Sequence, residues 1–401
     1  MDFNDSPEEA RFRQELRSWL QDNLPRGWVD GEVDYPAHRE ERYEFQREWQ
    51  SKLASAGWIG LSWPKEFGGR SATPFEQVIY LEEMSRVRAP EPLGVIGLNM
   101  AGPTIIVHGT KEQMSRYLSK VLSGEEIWCQ GFSEPDAGSD LAAAKTRAER
   151  DGDVFIVTGQ KIWSSYAHIA DFCLLVVRTD AASEKHAGLS YLLVDMRSPG
   201  VQVRPIVQIT GDPEFNEIFF DEVAVPAANM LGEEGDGWRV AMTTLMHERG
   251  TLGIALQVRA KAIFDDLVQL AAKVSVDALG GARAIDDPVV RDKLALFEVE
   301  IEAMRLTGYR SISGYAKTGV PGPEGSILKL HWSELNQRMT QFAWELLGGL
   351  SQVDAGSEYS VDAGKWQYEF LRSRGNTIEA GTSEILRNIV AERVLGLPRS
   401  R

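Results

Sequence analysis

The sequence predicts an α+β protein in which a strand-rich domain is inserted between two helical blocks. Three observations carry that reading. Residues 1–125 place apolar side chains at helical spacing; residues 126–235 hold short runs rich in β-branched and aromatic residues, separated by Gly, Asp and Pro; and helical spacing returns at Trp238 and persists to the end. The expected domains are therefore an N-terminal helical domain over 1–125, a middle β-domain over 126–235 and a C-terminal helical bundle over 236–401.

The elements follow in order. Ser6 and Pro7 suit the N-cap and first position of a helix whose Phe12, Leu16, Trp19 and Leu20 share one face. "PFEQVIYLEEMSRV" and "KEQMSRYLSKVLSG" continue the period, the second closing on Gly124 as a left-handed terminator. "DVFIVTGQKIW", "DFCLLVVRTD", "LSYLLVDM", "VQVRPIV" and "EIFFDEVAVP" read as strands. The stretch from Gly237 to Val274 reads as one long helix, and "DPVVRDKLALFEVEIEAMRLTGYRSISGYAKTG" as a second. "EGSILKLHWSELNQRMTQFAWELLGG" and "TSEILRNIVAERVLGLP" add at least two more, with "TGVPGPEGS" as the one turn-rich linker.

Composition removes several classes of function. A net charge of −16 argues against nucleic acid as a partner. No apolar run approaches the ~18–20 residues that span a bilayer, and the acidic, amphipathic start "MDFNDSPEEARFRQEL" is not a secretory signal. Two cysteines, Cys129 and Cys173, fit a reduced cytosol and rule out a disulfide framework. Six histidines without an H-x-x-x-H or C-x-x-C pair make a metal site unexpected. The expectation is a cytoplasmic protein that neither enters membranes nor binds nucleic acid.

Three short segments concentrate polar and turn-forming residues: "QGFSEPDAGSD" at 130–140, "GQKIWSS" at 159–165 and "NTIEAGTSEI" at 376–385. Each has a bland reading. Ser133, Gly138 and Ser139 suit a tight surface loop, a tryptophan at a strand end is more often core than ligand contact, and Thr382 or Ser383 can cap a helix. Taken together, in this order and spacing, they resemble the acyl-CoA dehydrogenase family over essentially the whole chain. Its members carry an E-P-x-A-G-S-D loop, a G-x-K-x-W-[IS]-[TS] strand end and a G-T-[AS]-[EQ]-I helix start.

The resemblance implies α,β-dehydrogenation of an acyl-CoA thioester to the 2-enoyl-CoA, with FAD as the cofactor and electron-transfer flavoprotein or a similar acceptor downstream. It implies that Gln130, Phe132 and Ser133 line the isoalloxazine, that Trp163 packs on it and that Ser165 bonds its N5 side. Gly138, Ser139 and Arg249 would face the substrate. Gly381, Thr382 and Glu384 would receive the diphosphate and adenosine, and Glu345, Gly348 and Gly349 of "ELLGG" would approach FAD from a neighbouring subunit.

The base is the open question. Many members place a glutamate directly before the Gly-Thr pair, where this chain has Ala380; Glu379 is one residue early and Glu384 a turn late. Isovaleryl-CoA and long-chain dehydrogenases instead use an L-x-x-E-R-x-x-L pattern, matched here by "LMHERGTL" with Glu248 at the base position. Ala241, Thr244, Leu245, Glu248, Leu252 and Ala255 recur on one helix face. A glutamate on an apolar stripe needs either a salt bridge or a chemical role, because unpaired burial is costly and raises the carboxyl towards the range of a base. Ala380 retains the backbone N–H that would hold the thioester oxygen.

The chain also departs from the family. "DALGGARAIDDP" lacks a clean R-x-x-F-G, Met246 stands where an aspartate is usual, and Glu345 replaces the Gln of Q-x-F-G-G. These changes suit either a divergent homotetramer or one subunit of an α2β2 heterotetramer. They leave two alternatives beside the dehydrogenase: a non-catalytic or half-site subunit, and a flavin oxidase or monooxygenase on the same fold.

Overall fold

The computed structural model describes residues 4–183, 185–250, 252–276, 281–318, 322–353 and 355–399; the side chains of residues 248–250, 252 and 276 are outside that description. The chain divides into two compact units, Met1–Gln77 with Val87–Glu248, and Val78–Arg86 with Arg249–Arg401.

The first unit begins with α1 (Pro7–Asn23) and α2 (Arg39–Ser55). Ser6 caps α1 reciprocally: its hydroxyl accepts from the Glu9 N–H at 3.3 Å while the Glu9 carboxylate accepts from the Ser6 N–H at 2.7 Å. Phe12, Leu16 and Leu20 are its buried face. Helix α3 (Pro74–Arg86) follows, and its residues from Val78 on belong to the second unit. Helices α4 (Gly102–His108) and α5 (Lys111–Ser123) come next, α5 ending on Gly124 at φ +75°, the left-handed terminator expected.

The sheet comprises seven strands among the described residues: β1 (Trp128–Gly131), β2 (Arg147–Asp151), β3 (Val154–Lys161), β4 (Phe172–Arg178), β5 (Leu189–Asp195), β6 (Val201–Ile206) and β7 (Phe215–Pro226). Strand β4 is the hub. It lies parallel to β1 and β2 along one edge and antiparallel to β5 along the other. Its Cys173–Val177 run and the Leu189–Val194 run of β5 are buried throughout, which is why both read as continuous apolar stretches rather than alternating ones. Strand β3 pairs with β2 and β7, and β7 with β6, where the alternation of buried and exposed positions returns. The five strands read from sequence are present; β1 and β2 were not legible. Cys129 and Cys173 face each other across β1 and β4 as buried free thiols. Helix α6 (Gly237–Gly250) follows, its residues through Glu248 belonging to this unit.

In the second unit, α7 (Leu252–Lys273), α8 (Pro288–Thr318), α9 (Gly325–Leu347) and α10 (Lys365–Ser373) form a helical bundle around one core that includes Leu267, Phe297, Met304, Trp332, Leu335 and Trp366. The stretch expected as one helix from Gly237 to Val274 is assigned as α6 and α7, residue 251 between them lying outside the described residues. Helix α11 (Ser383–Ile389) follows a turn carried against α9. Among the described residues, no helix is long and apolar enough to cross a membrane.

Candidate active site

In the first unit the 130–140 loop and the end of β3 are built as one piece. Glu134 is buried and its carboxylate collects three donors: the Lys145 N–H at 2.6 Å, the Thr146 N–H at 2.8 Å and the Lys161 ammonium at 2.8 Å. Lys161 is 0% exposed and also donates to the Phe132 carbonyl at 3.1 Å. Burial works against the Glu134 carboxylate, but Lys161 and the hydrogen bonds outweigh it and hold the group below its usual range. Burial likewise lowers the Lys161 ammonium, with the Glu134 charge opposing. Glu134 and Ala137 exchange backbone hydrogen bonds across the loop, and the Ile162 N–H donates to the Ser133 carbonyl at 2.9 Å. Ser133 and Ser165 therefore belong to adjoining segments. Gly138 and Ser139 are exposed at the loop tip, and a Cβ on Gly138 would meet nothing within 4 Å.

The turn after β3 is unusual in its backbone. Trp163 and Tyr166 both adopt left-handed φ values, +61° and +58°. Asn216 of β7 pins this turn: its Nδ2 donates to the Ser164 carbonyl at 2.9 Å and its own carbonyl accepts from the Ser164 N–H at 3.0 Å. Ser164 Oγ is buried and has no partner. Trp163, in turn, is 57% exposed, touching Phe215 edge-on at 5.9 Å. The general expectation that a strand-end tryptophan is core fails here, because the left-handed turn rotates the indole out of the packed face.

Gln130 and Phe132 lie on and just after β1, and Phe132 packs edge-on against Tyr191 of β5 at 5.8 Å. The Tyr191 hydroxyl reaches Thr244 Oγ1 of α6 at 3.1 Å, and Thr104 donates to the same oxygen at 3.0 Å. Thr244 is one turn before position 248 on the same face, and Ala241 and Thr244 are buried as the stripe requires. Glu248 and Arg249 fall in the last turn of α6, their side chains outside the described residues. Met246 is exposed.

In the second unit, residues 376–385 form a turn and a helix start. Thr382 is the N-cap, its hydroxyl accepting from the Ile385 N–H at 3.2 Å. Ala380 sits at φ +50° and Gly381 at φ +95°, and the N–H groups of Ala380, Gly381 and Thr382 meet no acceptor among the described residues. Successive backbone N–H groups in such turns are a known form of anion-binding nest. Ser383 Oγ is buried and has no partner, while Glu384 is exposed in the first turn of α11. Glu379 is engaged elsewhere: Arg372 holds it at 2.9 Å and Asn376 at 2.8 Å. Burial would raise its carboxyl, but Arg372 leads the groups that bring it below the usual range. Glu345 takes Lys293 at 3.5 Å and Gln341 at 3.1 Å, and Gly348 and Gly349 have open space where a Cβ would stand. Among the described residues, no hydrogen bond or ion pair joins 345–349 to 381–384.

Sequence reasoning passed over Glu134 with Lys161, Asn216, and Lys329, whose ammonium lies beneath the 376–381 turn. The first two stand inside motifs already singled out, and their charges facing across a β-domain were the available signal. Nothing in the sequence pointed to Asn216, and Lys329 was hidden by the apolar company of α9.

The chain matches "Acyl-CoA dehydrogenase, N-terminal domain" over residues 6–125, the middle domain over 129–223 and the C-terminal domain over 235–395. It is 40% identical over 395 residues to acyl-CoA dehydrogenase IpdE1 of Mycobacterium tuberculosis, covering 97% of each chain. Among solved structures it is similar to the Tcur3481–Tcur3483 steroid ACAD, with TM-score 0.84, 32% identity and full coverage of both chains. The ChsE4–ChsE5 complex from Mycobacterium tuberculosis gives TM-score 0.83 and 30% identity, again with full coverage. The chain belongs to the acyl-CoA dehydrogenase family of FAD-dependent oxidoreductases.

Proposed function

We propose that this chain dehydrogenates an acyl-CoA thioester to the 2-enoyl-CoA, with Glu248 as the base that removes the α-proton. The observation that carries the reading is Trp163: a large aromatic held in solvent on left-handed backbone, braced by the Asn216 contacts, suits a flat ring system. The free N–H groups at 380–382 suit the anionic and carbonyl groups of the remaining ligand atoms. When bound, FAD supplies the hydride acceptor.

In this reading Gln130, Phe132, Ser133, Trp163 and Ser165 hold the flavin ring, and Gly381, Thr382 and Glu384 hold the diphosphate and adenosine. Gly138, Ser139 and Arg249 face the substrate. The Ala380 N–H donates to the thioester oxygen, and the negative charge that builds there as Glu248 takes the proton is stabilised by that donor. The domain boundaries 1–125, 126–235 and 236–401 fit this division of labour.

The relative named a steroid ACAD supports a bulky, steroid-type acyl group, and the ChsE4–ChsE5 complex supports a partner chain that completes the segment at Glu345, Gly348 and Gly349, in a homotetramer or an α2β2 heterotetramer. Electron-transfer flavoprotein or a similar acceptor then reoxidises the enzyme. The test is absorbance of the flavin under anaerobic conditions on mixing with straight, branched and steroid-type acyl-CoAs, the chain being expressed alone and with candidate partners. Bleaching by steroid-type thioesters supports the proposal. Colourless protein that takes up no FAD in either preparation sinks it.

A further inference from the structure

Lys329 of α9 is 4% exposed, yet its ammonium is directed at backbone rather than at solvent. It donates to the Asn376 carbonyl at 2.7 Å and to the Gly381 carbonyl at 2.9 Å, the two ends of the turn that carries Ala380 and Gly381. The rest of that turn is fastened to the same face of α9. Asn336 donates to the Asn376 side chain at 2.8 Å, Gln337 to the Ser373 carbonyl at 3.0 Å and Thr340 to Ser373 Oγ at 3.1 Å. Positions 329, 336, 337 and 340 recur at helical spacing, so the contact is a polar seam along one side of the helix.

The geometry of the peptide bond turns this clamp into an orientation. The Gly381–Thr382 peptide is trans, as are all peptides among the described residues, and in a trans peptide the C=O and N–H point in opposite directions. The Gly381 carbonyl points inward to the buried Lys329, so the Thr382 N–H of the same peptide points outward. That N–H is one of the three at this turn without an acceptor. An ammonium on the carbonyl side also polarises the peptide and strengthens the N–H as a donor. Without the clamp, the peptide between a left-handed glycine and its neighbour is free to rotate, since glycine imposes no side-chain restraint.

We propose that Lys329 is a positioning residue that fixes the plane of the Gly381–Thr382 peptide, presenting its N–H to an anionic ligand group. The inference rests on the reading of this turn as the receptor for the FAD diphosphate. Lys329 touches neither substrate nor cofactor and acts on the ligand through the peptide, while its charge also helps Arg372 hold the Glu379 carboxyl low.

Two measurements on the full-length protein test it. The first is FAD affinity of wild type, Lys329→Met and Ser333→Ala. Ser333 donates to the Lys329 carbonyl at 2.8 Å one turn along the same buried face, so its removal reports packing loss without freeing the peptide. Lys329→Met is expected to raise the FAD dissociation constant about tenfold or more, the loss of a strengthened hydrogen bond, and Ser333→Ala less than twofold. The second is the amide resonance of Thr382 in apo-protein labelled with 15N-threonine, assigned by its loss in Thr382→Ser. Lys329→Met should shift it well beyond the Thr340 amide, and Ser333→Ala should leave it in place. Should Lys329→Met not fold, Lys329→Arg retains the charge, moves the donors and is expected to shift both signals in the same direction. An FAD affinity within twofold of wild type, or an unmoved Thr382 amide, overturns the proposal. If wild type binds no FAD, the cofactor reading falls, and the amide resonance still decides the role of Lys329.

Discussion

Glu134→Gln is the sharpest perturbation of the first unit. Three donors converge on the two carboxylate oxygens: Lys161 and the Thr146 N–H on Oε1, the Lys145 N–H on Oε2. Glutamine keeps the size but offers one acceptor and one NH2. Turned to serve Lys161 and Thr146, it sets its NH2 against the Lys145 N–H, leaving that donor unsatisfied. It also leaves the fully buried Lys161 ammonium without a counter-charge, its donors meeting only the neutral glutamine oxygen and the Phe132 carbonyl at 3.1 Å. Breaking one side of a buried ion pair costs about 3–5 kcal/mol, and the orphaned N–H places this variant near the upper end. Lys161→Met should cost less, because Glu134 keeps two backbone N–H donors. The double variant should be more stable than the sum of the two losses implies, by about 1–3 kcal/mol of coupling. The assay is urea denaturation of wild type, both singles and the double, followed by tryptophan fluorescence, which also reads Trp163 through the Ile162–Ser133 link. If each single variant costs under about 1 kcal/mol and the costs simply add, the pair does not brace the loop.

The other predictions concern the proposed chemistry and the second unit. Glu248→Gln should lower the rate of acyl-CoA-dependent flavin reduction by about 10²–10⁴ with FAD and acyl-CoA still bound; stopped-flow reduction at the wild-type rate would show that the base lies elsewhere. Glu379→Gln should leave that rate largely intact, since its carboxylate is engaged by Arg372 and Asn376. Ala380→Gly relieves a left-handed alanine at φ +50° and should raise stability by up to about 1 kcal/mol in denaturant titrations; a loss of stability would mean that the strain is not real. Acid should destabilise the fold in a defined window. Glu134 and Glu379 are both held below the usual carboxylate range, so their stabilising contribution is complete above about pH 4.5 and is lost as pH falls through their lowered values. Glu379→Gln should flatten that decline in urea midpoints measured between pH 6 and 3.

Local signals in the chain were read correctly where they depend on near neighbours. Ser6 with Pro7 at the start of α1, and Gly124 at the end of α5, are decided within a few residues, and the structure shows both. So were the five longer strands, whose apolar runs exceed what a loop would carry. Strands β1 and β2 were missed for a physical reason. "WCQG" is short and runs straight into a polar loop, and "RAERD" has only Ala148 buried, so neither carries its own pattern. Both are strands because β4 and β3 offer them hydrogen-bonding edges.

The sequence alone determined the order of helices, strands and helices, the absence of a glutamate at 380, and the three motifs that mark the family, because each is a matter of residue type and spacing. Tertiary structure alone decided how those motifs are held. Glu134 meets Lys161 across 27 residues and Lys329 meets Gly381 across 52, and neither partner choice is encoded in local periodicity. It also decided that Trp163 stands in solvent rather than in the core, since a left-handed turn, pinned by an asparagine 53 residues on, sets the direction of its side chain. Helical and strand propensities are summed over neighbours a few residues apart; a buried charge is placed only where the folded chain brings it a partner.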